Sequence, residues 1–172
     1  MKQRLHFRLP EFADEAMLRG YVQEHFDHGE TDITASHGLA ASDYRQWVET
    51  VRLHAEKGVD PYGKNLLLLC FDENRLIGLL SVRYELPREL SERIGDIGYG
   101  VRPSERNKGY ASAMLRHALD VCREKGKKSV IVGCYKDNEV SARIIQKNGG
   151  VLLFEKDNFT RGRMSLYFEI RL

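Results

Sequence analysis

The stretch Gly98-Tyr99-Gly100-Val101-Arg102-Pro103-Ser104-Glu105-Arg106-Asn107-Lys108-Gly109-Tyr110-Ala111 collects residue types that can hold an anion. Asp96 to Val101 reads as a strand that Pro103 ends, and Gly109 to Lys125 as a strong helix. Ala111, Met114, Leu115, Ala118, Leu119 and Cys122 form its apolar stripe, and Gly126 is its natural stop. A turn that runs straight into a helix leaves the first helix amides without partners and with partial positive charge. Such a start suits an anion, phosphate above all. Gly109 permits positive φ or close backbone approach, and Ala111 keeps the first turn unobstructed. Arg102, Arg106 and Lys108 add three cations complementary to a polyphosphate. A Walker-type loop is excluded, because no Gly-Lys-Ser/Thr follows at the required spacing. The dinucleotide fingerprint also fails, since Gly98-x-Gly100 lies inside the strand.

Other reactive side chains are scattered. Cys70, Cys122 and Cys134 sit in apolar segments, where a free Cys is a small hydrophobe, and their number and spacing suggest no disulfide framework or metal knuckle. His25 and His28 are three apart on a predicted helix; without a third ligand they read as exposed helix residues, and no metal is expected.

The elements that must position these residues follow from periodicity. Lys2 to Leu9 reads as a strand. Glu11 to His28 reads as a helix with Leu18, Val22 and Phe26 inward, and a second helix from about Ser42 carries Tyr44, Trp47, Val48, Val51 and Ala55 on one stripe. Asn65 to Phe71 and Leu76 to Tyr84 read as strands joined by a hairpin turn, and Pro87 to Arg93 as one short helical turn. Ser129 to Cys134 is a strand, and Asn138 to Asn148 a helix with Val140, Ile144 and Ile145 inward. Val151 to Phe154 and Met164 to Ile170 are two final strands, with Asp157 to Gly162 between them. The order predicts one α/β (α+β) domain over 1–172: a mixed, mostly antiparallel sheet of six to seven strands flanked by four helices.

Composition sets the outer limits. The 172 residues suffice for one well-buried core, and 42% hydrophobic with 30% charged residues is ordinary for a globular chain. A net charge of +2 with interleaved signs gives no reason to expect a nucleic-acid partner. The longest apolar run, Leu66 to Phe71, is too short to cross a bilayer, and the N-terminus lacks a signal-like stretch, so no membrane partner and a cytoplasmic location are expected.

Arg106-x-x-Gly109-x-Ala111 after Val101-x-Pro103 resembles the coenzyme A pyrophosphate signature of the GNAT superfamily of N-acetyltransferases. Asn138-x-x-Ser141 with Lys147-x-Gly149-Gly150 resembles that superfamily's next helix and its exit. Ile97 to Arg106 and Cys134 to Gly150 together are similar to a bacterial branch of predicted acetyltransferases whose substrates are mostly undefined. The resemblance implies acetyl-CoA as co-substrate and no metal, with 96–150 as the coenzyme-binding core and 11–63 as a helical substrate-side segment. Backbone groups of Tyr99, Gly100 and Val101 would pair with the pantetheine arm, because the neighbouring strand splays away. Amides of Arg106, Asn107, Lys108, Gly109, Tyr110 and Ala111 would hold the pyrophosphate. Asn138 would bond the pantetheine arm with Ser141 nearby, although Asn138 fits a helix N-cap equally well.

The implied reaction is direct attack of a primary amine on the thioester in a ternary complex. Many relatives place a Tyr four residues after the Ser, as general acid; here that position is Ile145. Tyr99 and Tyr135 are substitutes by sequence proximity, and Asp96 and Glu85 are the candidate bases. The departure keeps an alternative open, a catalytically silent acyl-CoA sensor or scaffold. The acceptor is a small-molecule or peptide amine of undefined identity, and a homodimer is what the superfamily suggests.

Overall fold

The computed structural model describes residues 5–158 and 162–172. Residues 2–4 of the expected first strand and 159–161 of the last expected connection lie outside the described residues. Strand β1 (Leu5–Arg8) pairs with β2 (Leu66–Asp72), which turns through Glu73 and Asn74 into β3 (Arg75–Val82). Strand β4 (Ile97–Val101) pairs with β3 and forms the edge of this four-stranded sheet. Strands β5 (Ser129–Tyr135), β6 (Val151–Asn158) and β7 (Arg163–Arg171) form a second sheet in the order β5-β7-β6. Helices α1 (Glu15–Asp27) and α2 (Tyr44–Glu56) lie between β1 and β2 in sequence. Helix α3 (Arg88–Ile94) precedes β4, α4 (Tyr110–Glu124) links β4 to β5, and α5 (Glu139–Lys147) follows β5.

The near-continuous apolar runs of β2 and β3 reflect helices on both faces of the first sheet. Leu80 and Val82 face a core built with Met114, Leu115, Ala118, Ile145 and Phe168. Leu67, Leu69 and Leu79 face a second core with Leu18, Tyr21, Trp47 and Val48 of α1 and α2. Each fully buried aliphatic side chain stabilises the fold by roughly 1.5–3 kcal/mol, so both faces hold the central hairpin in place.

The α/β fold, the seven strands among the described residues and their antiparallel pairing agree with the expectation; five details differ. The single mixed sheet is two antiparallel sheets, and α3, expected as one turn, raises the helix count to five among the described residues. Val140 is 61% exposed because it shares the outer side of α5 with Arg143 and Lys147. Phe26 is 41% exposed, since α1 buries Leu18, Tyr21, Val22 and His25 instead. The fifth concerns that histidine: His25 is 3% exposed with Nδ1 2.6 Å from Glu30 Oε2, and only His28, the C-cap of α1, is exposed.

The sheets part at Asp96. Its amide donates to the Ile131 carbonyl at 2.7 Å, and its carboxylate takes the Ile131 amide at 2.7 Å. Ser91 Oγ at 2.7 Å and Lys127 Nζ at 3.0 Å donate to the other carboxylate oxygen. The side chain thus takes a strand amide that a backbone carbonyl would otherwise accept. Beyond this point β4 and β5 belong to different sheets. An Asp96→Asn substitution keeps the shape but presents a donor where Lys127 or the Ile131 amide needs an acceptor. It is expected to lower unfolding free energy by about 3 kcal/mol. The readout is a lower urea midpoint at unchanged slope. A loss within a few tenths of a kcal/mol would remove Asp96 from this part.

Candidate functional site

The register of β3 and β4 decides which backbone groups face the gap. Arg83 N–H donates to the Asp96 carbonyl at 2.8 Å and Arg102 N–H to the Ile77 carbonyl at 2.9 Å. Alternation between these ends turns Gly98 and Gly100 toward β3, and Ile97, Tyr99 and Val101 toward the open edge. Of the three residues expected to offer backbone groups, Tyr99 and Val101 face the gap and Gly100 does not. The Val101 carbonyl also accepts from Arg106 Nε at 3.1 Å.

At the end of β4 the chain makes a short helical turn over Pro103–Glu105, and Asn107 (φ 62) and Gly109 (φ 83) take left-handed conformations. A Cβ at Gly109 would meet nothing within 4 Å, so glycine is needed for its dihedral and the space beside it is open. No side chain caps α4, and its first bond runs from Ala113 N–H to the Gly109 carbonyl at 3.2 Å. The amides of Tyr110, Ala111 and Ser112 therefore point out of the helix start, as an anion requires.

The three cations of this turn do not converge on that space. Arg102 grips Glu24, whose other oxygen takes the Ser104 amide at 2.8 Å. Arg106 makes a two-pronged pair with Glu30 at 2.6 and 2.8 Å. Lys108 Nζ bonds Glu105 at 2.8 Å, and Arg75 takes the second oxygen of Glu105. Burial alone would raise Glu24, but Arg102 and Ser104 outweigh it and hold its pKa at about 2. The Arg106 bond, against burial and aided by His25, holds Glu30 at about 2. Tyr110 is 7% exposed, and its hydroxyl donates to Asp72 at 2.5 Å, pinning the helix start to the β2–β3 hairpin. That bond and burial raise the phenol to about 12. The charged side chains thus brace the backbone, which leaves the first amides of α4 turned outward.

Across the gap, Asn138 caps α5, its Oδ1 accepting the Ser141 amide at 3.1 Å. Ser141 Oγ lies 2.9 Å from Tyr99 Oη, so two hydroxyls meet across the parted sheets. Burial, partly offset by Ser141, raises Tyr99 to about 12. Burial, again offset by Ser141, raises the half-buried Cys134 to about 11, so this thiol is no ready nucleophile. Ile145 is fully buried in the core, with Gly150 packed on it. Tyr135 stands apart, its hydroxyl 3.4 Å from Asp32 and its ring under the Arg163 guanidinium at 3.8 Å.

The opposite face of β4 has an opening. A Cβ at Gly100 would touch the Thr34 carbonyl at 3.1 Å, whereas one at Gly98 would meet nothing within 4 Å. Ser81, the register partner of Gly98, is fully buried and donates to Asn65 Oδ1 at 2.9 Å. His37 Nε2 lies 3.1 Å from the same hydroxyl and 3.4 Å from Asn65 Nδ2. His37 has φ 49, uncommon outside glycine, which turns its ring to Ser81. Desolvation, Arg83 and His54 push its pKa down to about 4. Neither candidate base reaches this opening free: Asp96 is 1% exposed with both oxygens bonded, and Glu85 Oε2 accepts the Lys64 amide at 2.8 Å. Sequence reasoning missed His37, Asn65 and Arg83. Its one available signal was Ser81, a lone hydroxyl inside the apolar run of β3.

No metal-binding group of three or more His, Cys, Asp or Glu occurs among the described residues, and no helix among them is long and apolar enough to cross a membrane. A family model described as an acetyltransferase (GNAT) domain matches residues 4–151. Among curated proteins none matches the sequence. Solved structures share the fold at low identity. The yncA protein of Salmonella typhimurium, solved with its cofactor acetyl-CoA, superposes with TM-score 0.64 at 17% identity, covering 98% of this chain and 94% of that one. A Salmonella typhimurium acetyl transferase that modifies the N-terminal serine of ribosomal protein L7/L12 gives TM-score 0.71 at 16% identity, with 98% and 95% covered. A chimera of Vibrio cholerae spermidine N-acetyltransferase SpeG and hSSAT gives 0.70 at 16%, with 98% and 95% covered.

Acid titration tests the bracing of the turn. Glu30 has a folded pKa depressed to about 2, so its stabilisation is full above the unfolded value near 4.5 and is lost as pH falls toward 2. The stability gap between the native chain and Glu30→Gln is expected to close as pH falls from about 5 toward 2. A gap that widens in acid would contradict the pairing.

Proposed function

We propose, for a chain that belongs to the GNAT acetyltransferase family, that it transfers the acetyl group of acetyl-CoA to a primary amine by direct attack with both substrates bound. As members of this family are acetyl-CoA-dependent acetyltransferases, the chain is an enzyme, and its co-substrate is acetyl-CoA. One observation carries the placement of that co-substrate: the uncapped start of α4, with Gly109 at φ 83 beside open space, adjoins the unpaired edge of β4.

In this reading the amides of Gly109, Tyr110 and Ala111 hold the pyrophosphate, while Arg106, Asn107 and Lys108 shape the turn that presents them. Tyr99 and Val101 offer backbone groups to the pantetheine arm, and Asn138 and Ser141 line the far wall. The bound co-substrate supplies an acyl thioester. The acceptor nitrogen forms the new N–C bond, the C–S bond breaks, and its electron pair leaves on sulfur. The amine loses one proton to solvent and the sulfur gains one. The outward Tyr99 amide is placed to steady the developing oxyanion.

Magnitudes sort the proton-handling groups. His37 at about 4 facing an ammonium of about 10.4 would draw off the proton roughly once in a million encounters, so it orients the amine and does not deprotonate it. Tyr99 at about 12 is too weak an acid to drive protonation of a thiolate near 8.5, so the Tyr99–Ser141 pair steadies the departing sulfur by hydrogen bonding. A thiol of that pKa leaves tolerably unaided, which makes the Tyr missing at Ile145 dispensable. Relatives of this fold that act on spermidine or on an N-terminal serine support an amine acceptor.

Calorimetric titration tests the placement. Acetyl-CoA and coenzyme A are expected to bind at micromolar Kd and ATP far more weakly. Gly109→Asp, which sets a carboxylate against the pyrophosphate, is expected to weaken binding by well over tenfold, more than about 1.4 kcal/mol. Gly109→Asn, with the same backbone demand and no charge, should lose much less. Equal affinity of native chain and Gly109→Asp would place the co-substrate elsewhere.

A further inference from the structure

Close enough to His37 to oppose its protonation stands an arginine with no carboxylate of its own, Arg83. Arg83 lies two residues beyond Ser81, on the same face of the chain, and its Nη1 donates to the Gly95 carbonyl at 3.2 Å. Among the described residues no carboxylate lies within ion-pair distance of it, whereas Arg8, Arg75, Arg102 and Arg106 each hold one. The nearest carboxylate, Asp96, is committed to Lys127, Ser91 and the Ile131 amide. Asp96 is paired with Lys127, so the positive charge of Arg83 is left without a carboxylate partner.

That charge is held at a cost. Arg83 is half-buried, and desolvation lowers its pKa from the ordinary guanidinium value. His25 Nε2 is the one buried side-chain nitrogen without a partner among the described residues, so the remaining N–H groups of Arg83 stay reachable from solvent. Its other neighbours add no negative charge. His37 is kept neutral, Asn65 and Ser81 are uncharged, His54 lies close enough to oppose protonation of His37, and Glu85 turns to the Lys64 amide. A polycationic acceptor finds no carboxylate there, while a carboxylate finds a forked donor.

Resting on the acetyl-transfer reading, we propose that the acceptor is a free amino acid. Its carboxylate sits on Arg83, and its amine is turned by the neutral ring of His37 toward the opening over Gly98. Arg83 is then a specificity residue of the acceptor site, and the uncompensated cation is completed by substrate.

The test incubates the protein with acetyl-CoA and an equimolar panel of the twenty amino acids, their carboxamides, and spermidine, with products read by mass. The expected acetylated products all descend from free amino acids. The carboxamide of the best acceptor should lose about 10–100-fold in kcat/KM, the worth of a charge-assisted pair. Arg83→Gln should raise the amino acid KM by a similar factor, leave the KM for acetyl-CoA unchanged, and narrow the gap between acid and carboxamide. Arg83→Lys, should Arg83→Gln misfold, keeps the charge without the fork and should recover part of the preference; the acid-to-carboxamide ratio of the native chain needs no variant. Acetylation of spermidine or carboxamides in place of amino acids overturns the inference. So does a silent panel from a protein that binds acetyl-CoA. Failure to bind acetyl-CoA by calorimetry would instead sink the acetyl-transfer reading itself.

Discussion

A single carboxylate fixes where this fold opens. Asp96 takes the Ile131 amide with its side chain while its own amide engages the Ile131 carbonyl, so the backbone bonding between the two sheet edges is made at Asp96, at the start of β4. Had a backbone carbonyl taken that amide, the two sheets could have continued as one and the edge of β4 would be covered. A strand edge is normally a liability, since its unpaired groups invite another strand. Here the edge is short, flanked by α4 and α5, and its exposed groups belong mainly to Tyr99. Ser91 of α3 and Lys127 after α4 complete the carboxylate, so three parts of the chain must be in place before the cleft exists.

The turn after β4 shows a second economy of charge. A flexible cation facing solvent can meet an anion but must be ordered when it does, and ordering a long side chain costs up to about 2 kcal/mol. The Arg102, Arg106 and Lys108 side chains are already fixed on Glu24, Glu30 and Glu105. Glu24 and Glu30 come from α1 and the segment after it, which ties the substrate-side helices to the coenzyme-side turn. The amides at the start of α4 are then rigid before any ligand arrives, and preorganised dipoles need no reorganisation on binding.

The two faces of β4 divide the work. Tyr99 meets Ser141 on the α4 and α5 side, while Gly98 opens toward His37 and Ser81 on the α1 and α2 side. The period of two in a strand achieves this separation within a few residues. Glycine at 98 leaves room for an acceptor where any side chain would stand.

Local signals were legible in the sequence. Periodicity gave the strands and helices, Gly109 announced a left-handed helix start, and Asn138 was readable as a cap, because each is set by dihedral preference or near-neighbour hydrogen bonds. Resemblance of two short motifs was enough for the family. The partners of Asp96, the diversion of three cations onto glutamates, and the meeting of His37 with Ser81 were not legible. Apart from the local Ser91–Asp96 and Lys108–Glu105 bonds, they join residues 31 to 78 positions apart, and charge alone does not say which carboxylate an arginine will meet. Sequence by itself determined the elements, the family and the turn that runs into an uncapped helix start at Gly109. Only tertiary packing decided that Asp96 is buried with both carboxylate oxygens bonded, and that Arg83 has no carboxylate within ion-pair distance among the described residues.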